Sequence, residues 1–218
     1  MYPQQDYHFL HVTKAGGKLF KSIVKQGISD SSVSVMCHDH VVRWSDIPRG
    51  SRIIIGIRDP KRRFISGYYS PLRHVGGVQS VLPPPLRNFY RAFPTVEDAI
   101  EAFSGEGHKK LSLGLNQHLG KYLSLSYWLG REPCFKNVFF YETESLVDVY
   151  GSKGFDQRTH TTPDDYQINA SASDRLDELL HAEYGLYLAV KENAVNILSA
   201  DTNGDMLANL KFHYCQSG

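Results

Sequence analysis

Residues 9–24 read "FLHVTKAGGKLFKSIV". An apolar run ends at Val12, the chain passes through Lys14, Gly16, Gly17 and Lys18, and Leu19, Phe20, Ile23 and Val24 then recur at helical spacing. The pattern predicts a strand, an anion-binding loop and a helix, in that order. It is not the kinase loop G-x-x-x-x-G-K-[ST], because Val12 stands where the first Gly should be and Leu19 where the hydroxyl should be. Gly16 and Gly17 let backbone N–H groups come close to an anion at the positive end of the following helix, and Lys14 and Lys18 add charge. A Gly-Gly turn that only links strand to helix is the competing reading.

Outward from this stretch, the chain alternates in βαβ fashion. Residues 7–12 read as a strand, 19–26 as a helix, 33–36 as a short strand, and "RIIIGI" at 52–57 as a strand buried on both faces. After "RDP", the spacing of Phe64, Ile65, Tyr68 and Tyr69 suits a second helix, with Pro60 in its first turn. "NVFFYE" at 137–142 adds a buried strand and Leu146 with Val149 a helical turn. Leu176, Leu179, Leu180, Tyr187, Leu188, Val195 and Leu198 trace one face of a long final helix, started by a capping pair of Ser171 and Asp174. The expected fold is α/β, a P-loop-like central parallel β-sheet flanked by helices, in a single domain over 1–218. Such sheets use right-handed crossovers and bind ligands at the carboxyl ends of their strands. Residues 71–93, with Gly-Gly and a triple Pro, read as an irregular acceptor-side insertion, and 151–170 as a polar loop.

Composition narrows the function. The 218 residues are 41% hydrophobic and 22% charged, enough for one sizeable core. A net charge of +1 speaks against nucleic-acid binding, so any anion site is local. No basic and apolar leader and no membrane-spanning run is present in the sequence, which gives a cytoplasmic, non-membrane expectation. Cys37, Cys134 and Cys215 are far apart and odd in number, so they suggest packed thiols rather than disulfides or a zinc site.

Two further clusters carry chemistry. In "IIIGIRDPKRRFISGYYS", Arg58 ends a buried strand and Ser66 lies eight residues on, about two helical turns away. A planar guanidinium fork and a hydroxyl there suit a terminal phosphate. The plainer alternative pairs Arg58 with Asp59 or a helix end. In "MCHDHVVRW", His38 and His40 fall on the same side of an extended segment. A His-x-His pair is half a metal site, but no further ligands follow at a recognisable spacing, and a general base is the better use. Ordinary packing is the alternative for either ring.

Together, and in this order, the clusters resemble the sulfotransferases that use 3′-phosphoadenosine 5′-phosphosulfate (PAPS), in particular the heparan sulfate 2-O-sulfotransferase-like branch. "TKAGGKL" is similar to their 5′-phosphosulfate loop P-K-T-G-G-T-S, "RDPKRRFISGYY" to their 3′-phosphate motif R-D-P-x-x-R-x-x-S-x-Y-Y, and "CHDHV" to the H-x-H between them. "LNQHLGKYL" at 115–123 resembles a family segment N-x-Q-x-x-x-L, and "VFFYETESL" with the helix near Tyr187 fits the later part. The likeness spans most of the chain and is strong over residues 8–69.

The resemblance implies that Lys14 contacts the sulfonate-bearing 5′-phosphate, that Ala15, Gly16, Gly17 and Lys18 form its loop, and that Arg58 and Ser66 hold the 3′-phosphate. His40 is then the base and His38 its assistant; if neither imidazole serves, Asp39 is the next candidate. Arg158, His160 and Thr161 are the best match for a late nucleotide-contacting loop, and Arg43, Asn116 and Gln117 are assigned to the acceptor. PAPS is the sulfonyl donor, PAP (3′,5′-adenosine bisphosphate) the product, and no metal is required. The acceptor is hydroxyl-bearing, with carbohydrate one candidate class; the oligomeric state is left open. Lys18 and Leu19 replace the family's Thr-Ser, and Thr13 its Pro. Two other classes stay open: a P-loop-type small-molecule kinase, and a non-catalytic protein that binds a nucleotide or a sulfated glycan.

Overall fold

Alternate residues of the strand Ile53–Ile57 serve opposite faces of a sheet. Ile53, Ile55 and Ile57 pack with Leu10, Val12, Phe140 and Trp128, whereas Ile54 packs with Phe9, Val35 and Tyr141. Both faces are covered, which is why the segment reads as an unbroken apolar run. The structure is a computed structural model that describes residues 7–26, 33–77, 79–104, 124–130, 134–150, 167–199 and 210–213. Their strands are β1 (Tyr7–Leu10), β2 (Val33–Cys37), β3 (Ile53–Ile57), β4 (Val138–Glu142), a two-residue β5 (Val195–Asn196) and β6 (Leu210–His213). The sheet order is β5-β4-β3-β1-β2-β6, and every pairing is parallel. Among the described residues no helix is long and apolar enough to cross a membrane.

The chain divides into two compact units. The first comprises Met1–Arg58, Leu125–Thr159 and Leu186–Gly218, and it contains the sheet. Helix α1 (Gly17–Gln26) sends Phe20, Ile23 and Val24 onto one face of the sheet, joined by Leu146 and Tyr150 of a later helix, Thr143–Tyr150. The short helix Ser126–Leu129 puts Trp128 and Leu129 on the other face, with Val190 beside them. The result is an α/β arrangement with helices on both faces of a parallel sheet.

The second unit, Asp59–Ser124 with His160–Gly185, is helical in its described part. Its first helix, α2 (Pro60–His74), has Pro60 in the first turn and Asp59 at the N-cap, where Oδ1 accepts from the Arg62 N–H at 2.9 Å. Next come α3 (Pro84–Ala92) and α4 (Val96–Ser104), the latter opened by a reciprocal Thr95 and Asp98 capping box. The Ser126–Leu129 and Thr143–Tyr150 helices of the first unit are α5 and α6, and Ala170–Asn193 is α7, whose residues up to Gly185 belong to the second unit. Phe64, Tyr68, Phe89, Tyr90, Phe93, Ile100, Leu176 and Leu180 form this unit's core.

Three sequence expectations change here. Residues 71–93 are not irregular throughout, because α3 fills much of the stretch. Gly76 and Gly77, at φ +59° and +83°, end α2, and the prolines sit at the N-cap and first turn of α3, where no N–H partner is lost. Tyr68 and Tyr90 are fully buried, with the Tyr68 hydroxyl donating to the Phe93 carbonyl at 2.7 Å and that of Tyr90 to the Tyr68 carbonyl. They build the core of this unit. The final helix begins one residue before Ser171, and its cap is Asn169, whose Oδ1 accepts from the Ala172 N–H at 2.9 Å. It stops at Asn193, so Val195 lies in β5, and Leu179 and Leu188 are exposed instead of sharing the buried face.

Candidate functional site

The sheet order reverses between β1 and β3, and in open parallel sheets that reversal sets the ligand crevice at the carboxyl ends of the two strands. The loop after β1 and Arg58 after β3 both lie there, within the first unit. Close packing joins them. A Cβ on Gly56 of β3 would lie 2.2 Å from the Ala15 carbonyl oxygen, and one on Gly16 would lie 3.3 Å from Thr143 Cγ2. Thr143 in turn donates its hydroxyl to the Ile57 carbonyl at 3.1 Å, and Ile57 precedes Arg58.

The loop backbone alternates in hand. Lys14 has φ +62° and Gly16 φ +71°, while Ala15 between them and the helical Gly17 do not have positive φ. Alternation of this kind within a turn is the backbone pattern of an anion nest, in which successive N–H groups face one point. Lys14 is the sole non-glycine residue with positive φ among the described residues, a conformation that costs about 1 kcal/mol or more. The Gly16 carbonyl accepts from the Phe20 N–H at 3.0 Å, so Gly16 holds the N-cap position of α1 and brings no side chain to cap the first turn. That turn has no acid and carries Lys18, opposite in sign to what a helix N-terminus favours. Lys14 is half-buried, Lys18 exposed and Ala15 buried.

Gly17 has a reason the sequence did not reveal. A Cβ there would lie 2.1 Å from His11 Nε2, so the missing side chain is the space that the buried His11 ring occupies. Burial pushes the His11 pKa down to about 2, with His40, Lys21, Lys18 and Lys14 adding in the same direction. His11 is therefore neutral, and the lysines at 14, 18 and 21 act on it in the same direction as burial.

His40 follows β2 and stands against His11, with ring centroids 3.7 Å apart. Its Nδ1 is 3.3 Å from the His11 carbonyl oxygen and 3.4 Å from Thr13 Oγ1. A carbonyl only accepts, so Nδ1 carries a proton, and in the neutral ring the lone pair is then at Nε2. His38 turns to a different partner. Its Nε2 is 2.9 Å from His8 Nδ1, with the rings parallel and 5.1 Å apart. Burial and the neighbouring His8 bring His38 down to about 4, against the opposing pull of Asp39 and Asp46. Burial also lowers His8. The contacts described for His38 and His40 thus run to His8 and His11 separately, and do not join the two.

Arg58 Nε donates to Glu144 Oε1 at 3.0 Å, so its acidic partner is Glu144 and not Asp59. Ser66 is buried within α2 of the second unit, where its carbonyl accepts from Arg73 Nη2 at 3.2 Å. The exposed Arg43 lays its guanidinium 4.2 Å from the Tyr127 ring centroid. Burial alone would raise Glu142, at the end of β4, but hydrogen bonds from Tyr187 and Lys191 outweigh it and keep the carboxyl below its ordinary range. Asn116, Gln117, Arg158, His160 and Thr161 lie outside the described residues, as does the segment at 115–123. Sequence reasoning missed His8, His11, Thr143 and Glu144. "HFLH" directly before the loop was the available signal for the first two; nothing local marks the others.

The arrangement offers a loop with the backbone of an anion nest, a helix end that carries lysine and no acid in its first turn, an imidazole held by its Nδ1, and a guanidinium at the end of the neighbouring strand. Among the described residues, no three His, Cys, Asp or Glu side chains are grouped to hold a metal ion. Compared with models of known protein families, with curated proteins and with solved structures, the chain gives no significant match.

Proposed function

We propose that the protein is a PAPS-dependent sulfotransferase on a P-loop-like sheet, which moves a sulfonyl group to an acceptor hydroxyl, with carbohydrate one acceptor class. The observation that carries this reading is the loop at residues 13–17. Its strained Lys14 and its nest of N–H groups open onto a helix end that bears lysine where an acid would be stabilising. That arrangement makes sense when an anion is held there. The donor set fits a 5′-phosphosulfate, which needs fewer contacts than a triphosphate. When bound, PAPS supplies the sulfonyl group and a phosphate leaving group.

The chain's own residues then divide the work. The Lys14 ammonium and the N–H groups of Gly16 and Gly17 hold the charge that builds on the leaving phosphate, in a fixed array that needs no reorganisation. Arg58 receives the 3′-phosphate on its fork. His40 takes the acceptor proton at Nε2, a role typically worth about 10² to 10⁴ in rate. His38, bound to His8 and donating its N–H to the Phe9 carbonyl at 3.1 Å, anchors the end of β2 from which the His40 turn departs.

The test is an acceptor screen with PAPS and mass-spectrometric detection of the sulfonated product, run beside His40→Ala. Turnover that falls about 10²-fold in the variant, with PAP binding kept, supports the reading. PAP binding without turnover on any acceptor favours the non-catalytic alternative, and phosphoryl transfer from Mg-ATP favours the kinase.

A further inference from the structure

We infer that Glu144 is the positioning residue for Arg58, turning a flexible cation into a reader of the 3′-phosphate; the inference rests on the sulfotransferase reading above. Glu144 Oε1 accepts from Arg58 Nε at 3.0 Å, with the two side chains 35% and 16% exposed. A guanidinium is planar and carries two donor edges, one through Nε and one made by Nη1 and Nη2. The contact at Nε leaves Nη1 and Nη2 outside it and, through the plane, sets the direction in which they point.

Glu144 is itself held. It lies in the first turn of α6, which starts directly after β4, and β4 is locked to β3 in a register that pairs Ile57 with Glu142. The Thr143 hydroxyl donates to the Ile57 carbonyl at 3.1 Å and clamps the start of α6 to the residue before Arg58. The acid and the arginine are thus fixed to adjacent strand ends by main-chain pairing. In the first turn of α6 the carboxylate also suits the helix end, and beside a phosphate-binding arginine the charge it sets against the anion is offset by the fixed direction of the fork.

Geometry and charge are separable. Glu144→Gln keeps an oxygen acceptor for Nε and removes the charge; Glu144→Ala removes both. The readout is the ratio of the dissociation constants of 5′-AMP and PAP, which isolates the 3′-phosphate and is indifferent to general damage. The expected result is a ratio that is kept or increased in Glu144→Gln and reduced about tenfold or more in Glu144→Ala, one lost charge-assisted contact being worth that much. In an Arg58→Lys background, where the fork is gone, Glu144→Ala should lower the ratio no further. An unchanged ratio in Glu144→Ala, or an equal loss in Glu144→Gln, overturns the inference. If the native protein does not distinguish PAP from 5′-AMP, the function assigned to Arg58 fails, and positioning is then decided by NMR. Slow exchange of the Arg58 Nε proton that is lost in Glu144→Ala and kept in Glu144→Gln supports it, whereas slow exchange that survives Glu144→Ala refutes it.

Discussion

Gly56→Ala should damage both the fold and the anion site, for one geometric reason. The new Cβ would lie 2.2 Å from the Ala15 carbonyl oxygen and 2.6 Å from the Tyr141 hydroxyl. Ordinary contact needs about 1 Å more, and one obstacle is backbone, which cannot swing aside as a side chain can. Overpacking of this kind costs about 1 to 3 kcal/mol, less about 0.5 kcal/mol because alanine suits a strand better than glycine. At about 2 to 4 °C per kcal/mol for a chain of this size, the melting temperature should fall by roughly 1 to 10 °C. The Ala15 carbonyl and the Gly16 N–H belong to one peptide unit, so moving the first displaces the second, and PAP affinity should drop about tenfold or more beyond the stability loss. Thermal unfolding and calorimetric titration with PAP read both effects. Gly185→Ala, where no heavy atom lies within 4 Å of the new Cβ, is the control and should be neutral or slightly stabilising. A Gly56→Ala protein with native stability and native PAP affinity would refute the packing argument.

Tyr141→Phe should be neutral or stabilise the protein by about 1 kcal/mol, because the buried hydroxyl has no hydrogen-bond partner among the described residues; a loss in denaturant titration would mean that it has one. In the second unit, Arg63 is 1% exposed and donates to Glu183 at 3.1 Å, so Arg63→Ala should cost about 3 to 5 kcal/mol, whereas Arg63→Met with Glu183→Met should cost much less; equal losses would contradict a desolvated pair. His11 and His38 are both depressed, to about 2 and about 4, so their contribution to stability is complete above pH 6.5 and is lost as pH falls through that value toward the folded pKa. Each should steepen the acid loss by about 1.4 kcal/mol per pH unit, and His11→Gln should remove one such increment between pH 6 and 4; an unchanged slope would show that His11 titrates normally.

The sheet was legible because strands buried on both faces announce themselves, as Ile53–Ile57 and Val138–Glu142 do, and the glycines after Val12 mark where β1 turns into α1. Less local features were not. Asn169 and Ser171 are both good caps, and the choice depends on where the helix begins, which side-chain identity alone does not fix. Leu188 fits a helical stripe by spacing but is half exposed, because it is tertiary packing that decides which face is covered. The triple proline looked like a breaker, yet at a helix start proline is tolerated. In the site, Arg58 and the His-x-His pair were visible as residue types, while their partners were not. His8, His11 and Glu144 reach them over 30, 29 and 86 positions, distances that only the strand register brings together.

The most direct test of the central claim is a titration of the native protein with PAP and, separately, with Mg-ATP, followed by calorimetry and thermal shift. Saturable binding and stabilisation by PAP are expected, weakened about tenfold or more by Lys14→Ala and Arg58→Lys, with neither effect from Mg-ATP. Tight binding of Mg-ATP with no response to PAP would contradict it.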